Sequence, residues 1–282
     1  MDLILVPFVA VLVVLSLHAY LGVHVLARGV IFVDLAFAQI AAFGGTVYAV
    51  WASDHGGSIT AFLFAYGFTL LGAVLFSFTR MERSLVPQEA IIGISYVVAS
   101  AAVLLVSSMT AEGAEHVSET LTGTLIWVTW PEIIRMSIGY ALLGVFYWAF
   151  RRNFLAATFH PEQLERPRLW DFLFYATFGI AITFSVAIAG VLLVFTTLVI
   201  PATVALLFTN RFGRAVVLAW VVGAFAAALG LALSFWRDFA TGPTLVVAFG
   251  IVLVGAGVVR RMSSVDTGDR ILLQEDRSGA AP

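Results

Sequence analysis

The 282-residue chain contains no cysteine. Disulfides, thiolate metal sites and thiol catalysis are therefore excluded. It also contains no lysine, so all fifteen of its basic residues are arginines. Without lysine there can be no phosphate-binding loop of the form G-x-x-x-x-G-K-[ST] and no Schiff-base chemistry. If the protein works by ATP hydrolysis, another subunit must hold the nucleotide and its magnesium. Charged residues make up only 11% of the chain and the net charge is −2, so nothing suggests nucleic-acid binding. No polar stretch is long enough to fold as a separate soluble domain.

What the chain has in abundance is hydrocarbon. Hydrophobic residues are 61% of the total and the mean hydropathy is +1.01, far above the soluble range. Apolar runs long enough to cross ~30 Å of lipid alternate with short polar breaks. The predicted fold class is all-α, a polytopic transmembrane helix bundle. Its spans run from about residues 3 to 26, 31 to 51, 59 to 78, 87 to 109 and 133 to 150, then from 172 to 208, and on to about 235 and 260. The stretch from Phe172 to Phe208 is too long for one crossing, and a tight reversal near Ala189-Gly190 would divide it. That gives nine spans, or eight without the reversal. Residues 1–262 form the transmembrane domain, and the polar residues 263–282 read as a disordered tail. The start, Met1-Asp2, has no basic stretch before the first apolar run and reads as a first span rather than a cleaved signal.

The arginines give the orientation. Arg28, Arg80 with Arg83, Arg151 to Arg168, Arg211 with Arg214, and Arg260 onward fall at every second crossing, and only Arg135 and Arg237 lie elsewhere. Arginine is held on the cytoplasmic side of short loops, which predicts an external N-terminus and a cytoplasmic C-terminus.

Ionisable groups in hydrocarbon are costly and need a reason. His18 and His24 lie in the first span, Asp34 opens the second with Gln39 deeper in it, and Glu89 opens the fourth. His24, Asp34 and Glu89 sit near the arginine side and can pair there with Arg28 or Arg83. His18 and Gln39 are deeper: they either line a path for a cation, with His18 as a candidate metal ligand, or make interhelical hydrogen bonds. In the segment from Thr110 to Pro131, Glu112, Glu115, His116 and Glu119 fall on one helix face. Glu115, His116 and Glu119 there could capture metal or dock a partner, or simply face water. No Ser/His/Asp set and no H-E-x-x-H lies at membrane depth, so an intramembrane enzyme is poorly supported.

From Val23-His24 through Arg28-Gly29-Val30-Ile31-Phe32-Val33-Asp34 to Gln39 and Gly44, the sequence resembles the ABC-3 family. These are permease subunits of bacterial ATP-binding-cassette importers for zinc, manganese, iron or iron chelates. Glu89 to Ile94, Gly113 to Gly123, and Gly190-Val191 to Ile200-Pro201-Ala202 add to the resemblance in the family's order. It implies a bacterial inner-membrane permease that pairs with a second permease, identical or not. It further implies a cytoplasmic ABC ATPase dimer, an external solute-binding protein, a metal ion as cargo and transport by alternating access. Many metal importers of the family carry Asp and His four apart in the second span. Here Gln39 takes the place of that His, with Leu35 four residues before it. Asp34 is turned about 140° from Gln39 on an ideal helix. The resemblance also places ATPase coupling just after Ile200-Pro201-Ala202. Phe208, Asn210, Arg211, Phe212, Gly213 and Arg214 are the candidates, with Phe208 and Phe212 on one apolar face of a helix. A reading from a different class is a self-sufficient, ion-coupled transporter with His18, Asp34 and Glu89 as a relay, a role that midspan carboxylates would have favoured.

Overall fold

A computed structural model describes residues 2–52, 59–79, 86–109 and 121–262. Among these residues nine α-helices follow one another: α1 (Asp2–Arg28), α2 (Val33–Ala52), α3 (Ile59–Thr79), α4 (Gln88–Ser107), α5 (Trp130–Ala149), α6 (Arg151–Phe159), α7 (Pro167–Phe208), α8 (Phe212–Arg237) and α9 (Thr241–Met262). Seven of these are long and apolar enough to cross a membrane by themselves, and α5 with α6 is a bent eighth candidate. The bundle is all-helical among the described residues, as the hydropathy predicts.

The 42-residue α7 would be ~63 Å long if straight, twice the thickness of the hydrocarbon. It is instead two helices joined at Gly190, whose backbone is left-handed at φ 73°. Tyr140 and His18 show that the arms run antiparallel. Tyr140 bonds the carbonyl of Ala181, and His18 bonds both Tyr140 and Thr197. Those positions lie eight residues to either side of 189 and would be ~24 Å apart on a straight helix. Counting its two arms separately makes nine candidate spans of the eight among the described residues.

The contacts define two ends. At one, Arg28 closes α1, Asp171 opens α7, Phe159 ends α6 and Phe212 opens α8, all in mutual contact or a shared cluster. At the other, Gly123 lies against Ala189 and Gly190, and Gly242 against the Thr122 carbonyl. The Thr124 N–H there donates to the Ile188 carbonyl at 3.2 Å. Arg151 and Arg152 of α6, Arg214 of α8 and Arg260 and Arg261 of α9 fall at the first end, whereas Arg237 closes α8 at the other.

The outer helices bury one stripe each, whereas α7 is buried on most of its circumference. On α3 the stripe is Ala65, Thr69, Gly72, Ala73, Phe76 and Ser77, at the i, i+4, i+7 spacing of a single face. The opposite faces keep Leu71, Val97, Leu105, Leu142 and Val254 exposed, where lipid replaces a protein neighbour. Hydroxyls at membrane depth bond back to carbonyls three or four residues earlier, as Thr183 does to Gly179 and Ser185 to Ala181. Such serines and threonines thereby cross the hydrocarbon with their donors satisfied, although Ser100 of α4 has no such bond among the described residues. A second, tighter seam of Ala19, Val23, Ala202, Ala205, Ala215 and Ala219 joins α1, the second arm of α7 and α8. These small side chains let the backbones approach closely.

Candidate functional site

Three buried polar centres stand out, all touching α1 or the turn after it. His18 is fully buried. Its Nδ1 lies 3.0 Å from the Thr197 hydroxyl and its Nε2 3.2 Å from the Tyr140 hydroxyl. Both ring nitrogens are thus engaged, and one imidazole ties α1 to α5 and to the second arm of α7. This is the interhelical hydrogen-bond arrangement, with Tyr140 extending it to the first arm through Ala181.

The second centre lies about two turns further along α1. His24 and Arg28 both reach the hydroxyl of Thr158 on α6, His24 through Nδ1 at 2.7 Å and Arg28 through Nε at 3.1 Å. Arg28 also donates to Asp171 of α7 at 2.7 Å, and its guanidinium carbon sits 3.9 Å from the centre of the Phe174 ring. The Arg28 and Asp171 side chains are 1% and 6% exposed, so the pair is desolvated and depends on its added hydrogen bonds and ring contact to offset that cost. The sequence offered Arg28 three partners: His24, Asp34 and Glu89. The carboxylate the structure gives it is Asp171, 143 residues away.

The third centre is the turn between α1 and α2. One Glu89 carboxylate oxygen accepts the Phe32 N–H at 3.1 Å, and one Asp34 oxygen accepts the Leu35 N–H at 2.8 Å. The second oxygen of each is buried without a hydrogen-bond partner among the described residues. These acids cap the backbone of the turn and the start of α2, where a helix N-terminus favours negative charge. Gln39, on α2, is 5% exposed. No group of three or more His, Cys, Asp and Glu is placed to hold a metal ion among the described residues.

The segment 208–214 is not one helix. Phe208 ends α7, residues 209–211 are non-helical, and Phe212 starts α8. Phe208 and Phe212 therefore do not share a helical face. Phe208 is 41% exposed. Phe212 turns inward, its ring 4.8 Å from that of His24, 5.5 Å from Tyr20 and 6.2 Å from Phe159. Asn210, Arg211, Gly213 and Arg214 are exposed. Beside them lies α6, bent 74° from α5, with Arg151 and Arg152 exposed and Phe154, Ala157 and Thr158 buried. The sequence treats residues 151–168 as a loop, because nine mixed-polarity residues between a span and two prolines carry no long periodic signal. Asp171, Thr158, Tyr140 and Thr197 were all missed, since each gains its meaning only from a distant partner. Glu115, His116 and Glu119, Arg80 and Arg83, and the tail 263–282 lie outside the described residues.

Comparison with known proteins agrees with this architecture. The profile of the ABC 3 transport family matches residues 1–260. The chelated iron transport system membrane protein YfeC of Yersinia pestis is 25% identical over 249 residues, covering 74% of this chain and 84% of that protein. The manganese transport system membrane protein MntC of Listeria monocytogenes is 28% identical over 199 residues, 68% of this chain and 69% of its own. Among solved structures, PsaBC from Streptococcus pneumoniae in complex with Fab superposes with a TM-score of 0.75 at 18% identity, covering 91% of each chain. That last likeness concerns the fold.

Proposed function

The chain belongs to the ABC 3 transport family, and from that premise we propose that it is the membrane permease of an ATP-driven importer of a metal ion or metal chelate. The cargo class rests on the relatives that carry chelated iron and manganese. ATP and magnesium would be held by a separate cytoplasmic ATPase dimer, for the chain has no lysine with which to build its own phosphate loop. A second permease and an external solute-binding protein would complete the assembly.

The observation that carries the mechanism is the join between α6 and α1. Helix α6 lies across the arginine end at 74° to α5, presenting Arg151 and Arg152 outward. Its inner face holds His24 and Arg28 through Thr158. Together with exposed Asn210 and Arg211, α6 forms the face on which the ATPases dock. This end is cytoplasmic by the arginine rule, with the N-terminus outside. A displacement of α6 on ATP binding passes through Thr158 into α1, and α1 passes it to both arms of α7 through His18. Alternating access follows from that chain of contacts. His18 acts in it as a joint. Gln39 on α2, with a neutral carboxamide, is the proposed path-facing group.

Uptake of radiolabelled manganese or iron in vesicles, with and without the partner ATPase, tests the reading. ATPase-dependent uptake is expected. Uptake by this chain alone, driven by a proton or sodium gradient, would favour the ion-coupled transporter instead. Because the chain lacks cysteine, Gln163→Cys and Phe239→Cys report the two ends separately. An impermeant thiol reagent in intact cells should label only the second.

A further inference from the structure

We propose that the groove between the second arm of α7, α8 and α9 is a binding site for an anionic phospholipid, with one acyl chain in the groove and the headgroup on Arg214 and Arg260. The groove encloses about 630 Å³ and its lining is wholly apolar. Its α8 wall is Leu218, Val222, Phe225 and Leu229, a stripe at i, i+4, i+7 and i+11. Leu218 to Leu229 spans ~16 Å of helix, half of the ~30 Å hydrocarbon layer. The groove therefore runs from the arginine end to about the midplane, the depth of one leaflet.

Helical register places a cation at the head of the α8 wall and another at the head of the α9 wall. Arg214 precedes Leu218 by four residues and continues the α8 stripe toward the surface. Arg260 follows Ala256, another lining residue, by four on α9. Arg214 is exposed and Arg260 half-buried, so both guanidiniums can meet a phosphate at the interface. No acid competes for them from these walls: the sequence has no Asp or Glu between Asp171 and Asp238, or between Asp238 and Asp266. An apolar groove one leaflet deep, opening between arginines and lacking any carboxylate, is complementary to a lipid with a negative headgroup. Gly255 keeps the groove wide, and a Cβ built there meets nothing within 4 Å.

Native mass spectrometry of the full chain in detergent tests this, with dioleoylphosphatidylglycerol and dioleoylphosphatidylcholine as probes. The anionic lipid should bind more tightly by about tenfold or more, since each arginine near a membrane surface contributes enough for several-fold. Arg214→Gln with Arg260→Gln should bring the anionic lipid down to the level of the zwitterionic one without changing the latter. Gly255→Leu, which fills open space rather than clashing, should weaken both. Equal binding of the two lipids by the unaltered protein overturns the proposal, as does a preference that survives loss of both arginines. If Gly255→Leu leaves both lipids bound and instead separates two copies of the chain, the groove is a protein contact and the lipid site is wrong.

Discussion

At the end holding Gly123, Gly190 and Gly242 the helices meet backbone to backbone, whereas the polar ties at the arginine end run through side chains. A Cβ on Gly190 would strike the backbone of Thr122 and Gly123, and one on Gly123 would strike the backbone of Ala189. Backbone contacts of this kind have one solution, because neither partner has a rotamer to change. At the other end Arg28 reaches Thr158 and Asp171 through a long side chain, and Phe212 leans on Tyr20 and His24. Such contacts can lengthen, rotate or exchange at small cost. In the proposed importer the first end suits a pivot, and the second the part that the ATPases move.

The sharpest way to break that comparison is one substitution at each end. Gly190→Val places a branched side chain at φ 73° against backbone, so the reversal of α7 cannot close. The loss should be on the order of 4 kcal/mol or more, seen as failure to obtain monodisperse protein. Gly213→Val at the arginine end, where a Cβ meets nothing within 4 Å, should leave yield unchanged. Similar behaviour of the two variants would remove the distinction.

Next in size is the buried ion pair. Arg28→Leu alone strands the Asp171 carboxylate in a dry site and should cost about 3–5 kcal/mol. Arg28→Leu with Asp171→Leu removes both charges and should recover most of the thermal midpoint, since the pair must first offset its own desolvation. Uptake should not recover with it, because α6 has lost one of its two ties to α1. A double variant that is both stable and fully active would reduce the pair to packing.

How much of this was legible beforehand differs between the two ends for a physical reason. The Gly190 reversal could be read because the 37-residue, uncharged and mostly apolar stretch from Phe172 to Phe208 exceeds any single crossing, and a glycine lies near the middle. The spans could be read because hydrocarbon leaves the backbone only the helix. Pairings at the arginine end could not, since nothing local distinguishes Asp171 from Asp34 or Glu89 as the partner of Arg28. Phe212 misled for the same reason. The spacing of four from Phe208 presumed a continuous helix, but the break at 209–211 turned one ring outward and the other into the bundle. His18 reads as either path or hydrogen bond, and the two partners on α5 and α7 that supply the hydrogen bonds are not visible in its own stretch of sequence.

His18 offers the third test, of middling size. His18→Leu keeps the volume but removes one partner from each of the Thr197 and Tyr140 hydroxyls, which retain the carbonyls of Val194 and Ala181. The expected loss is about 1–3 kcal/mol. His18→Asn, which can bond one of the two hydroxyls, should recover part of it. If His18 instead met the cargo, the two variants would have equal midpoints to the unaltered protein and would differ only in uptake.

The smallest effect on stability, and the most informative about motion, is expected at Phe212. Its ring is half-buried, edge-on to Tyr20 at 88° and tilted at 59° to His24. Phe212→Leu keeps most of the apolar area and loses the aromatic contacts, so stability should fall by only about 0.5–1.5 kcal/mol. Phe212 nevertheless joins α8 to α1 at the residue next to exposed Arg211, where the ATPase would press. If the arginine end transmits force through side chains, metal carried per ATP hydrolysed should drop several-fold while ATPase co-purification is unchanged. Arg211→Gln should show the reverse, weaker retention of the ATPase with the ratio intact, since that exposed side chain can touch the partner but is not packed between α8 and α1. Should Phe212→Leu lower uptake and hydrolysis in equal proportion, the residue would belong to the docking face with Arg211, and the path from ATPase to α1 would run through α6 alone.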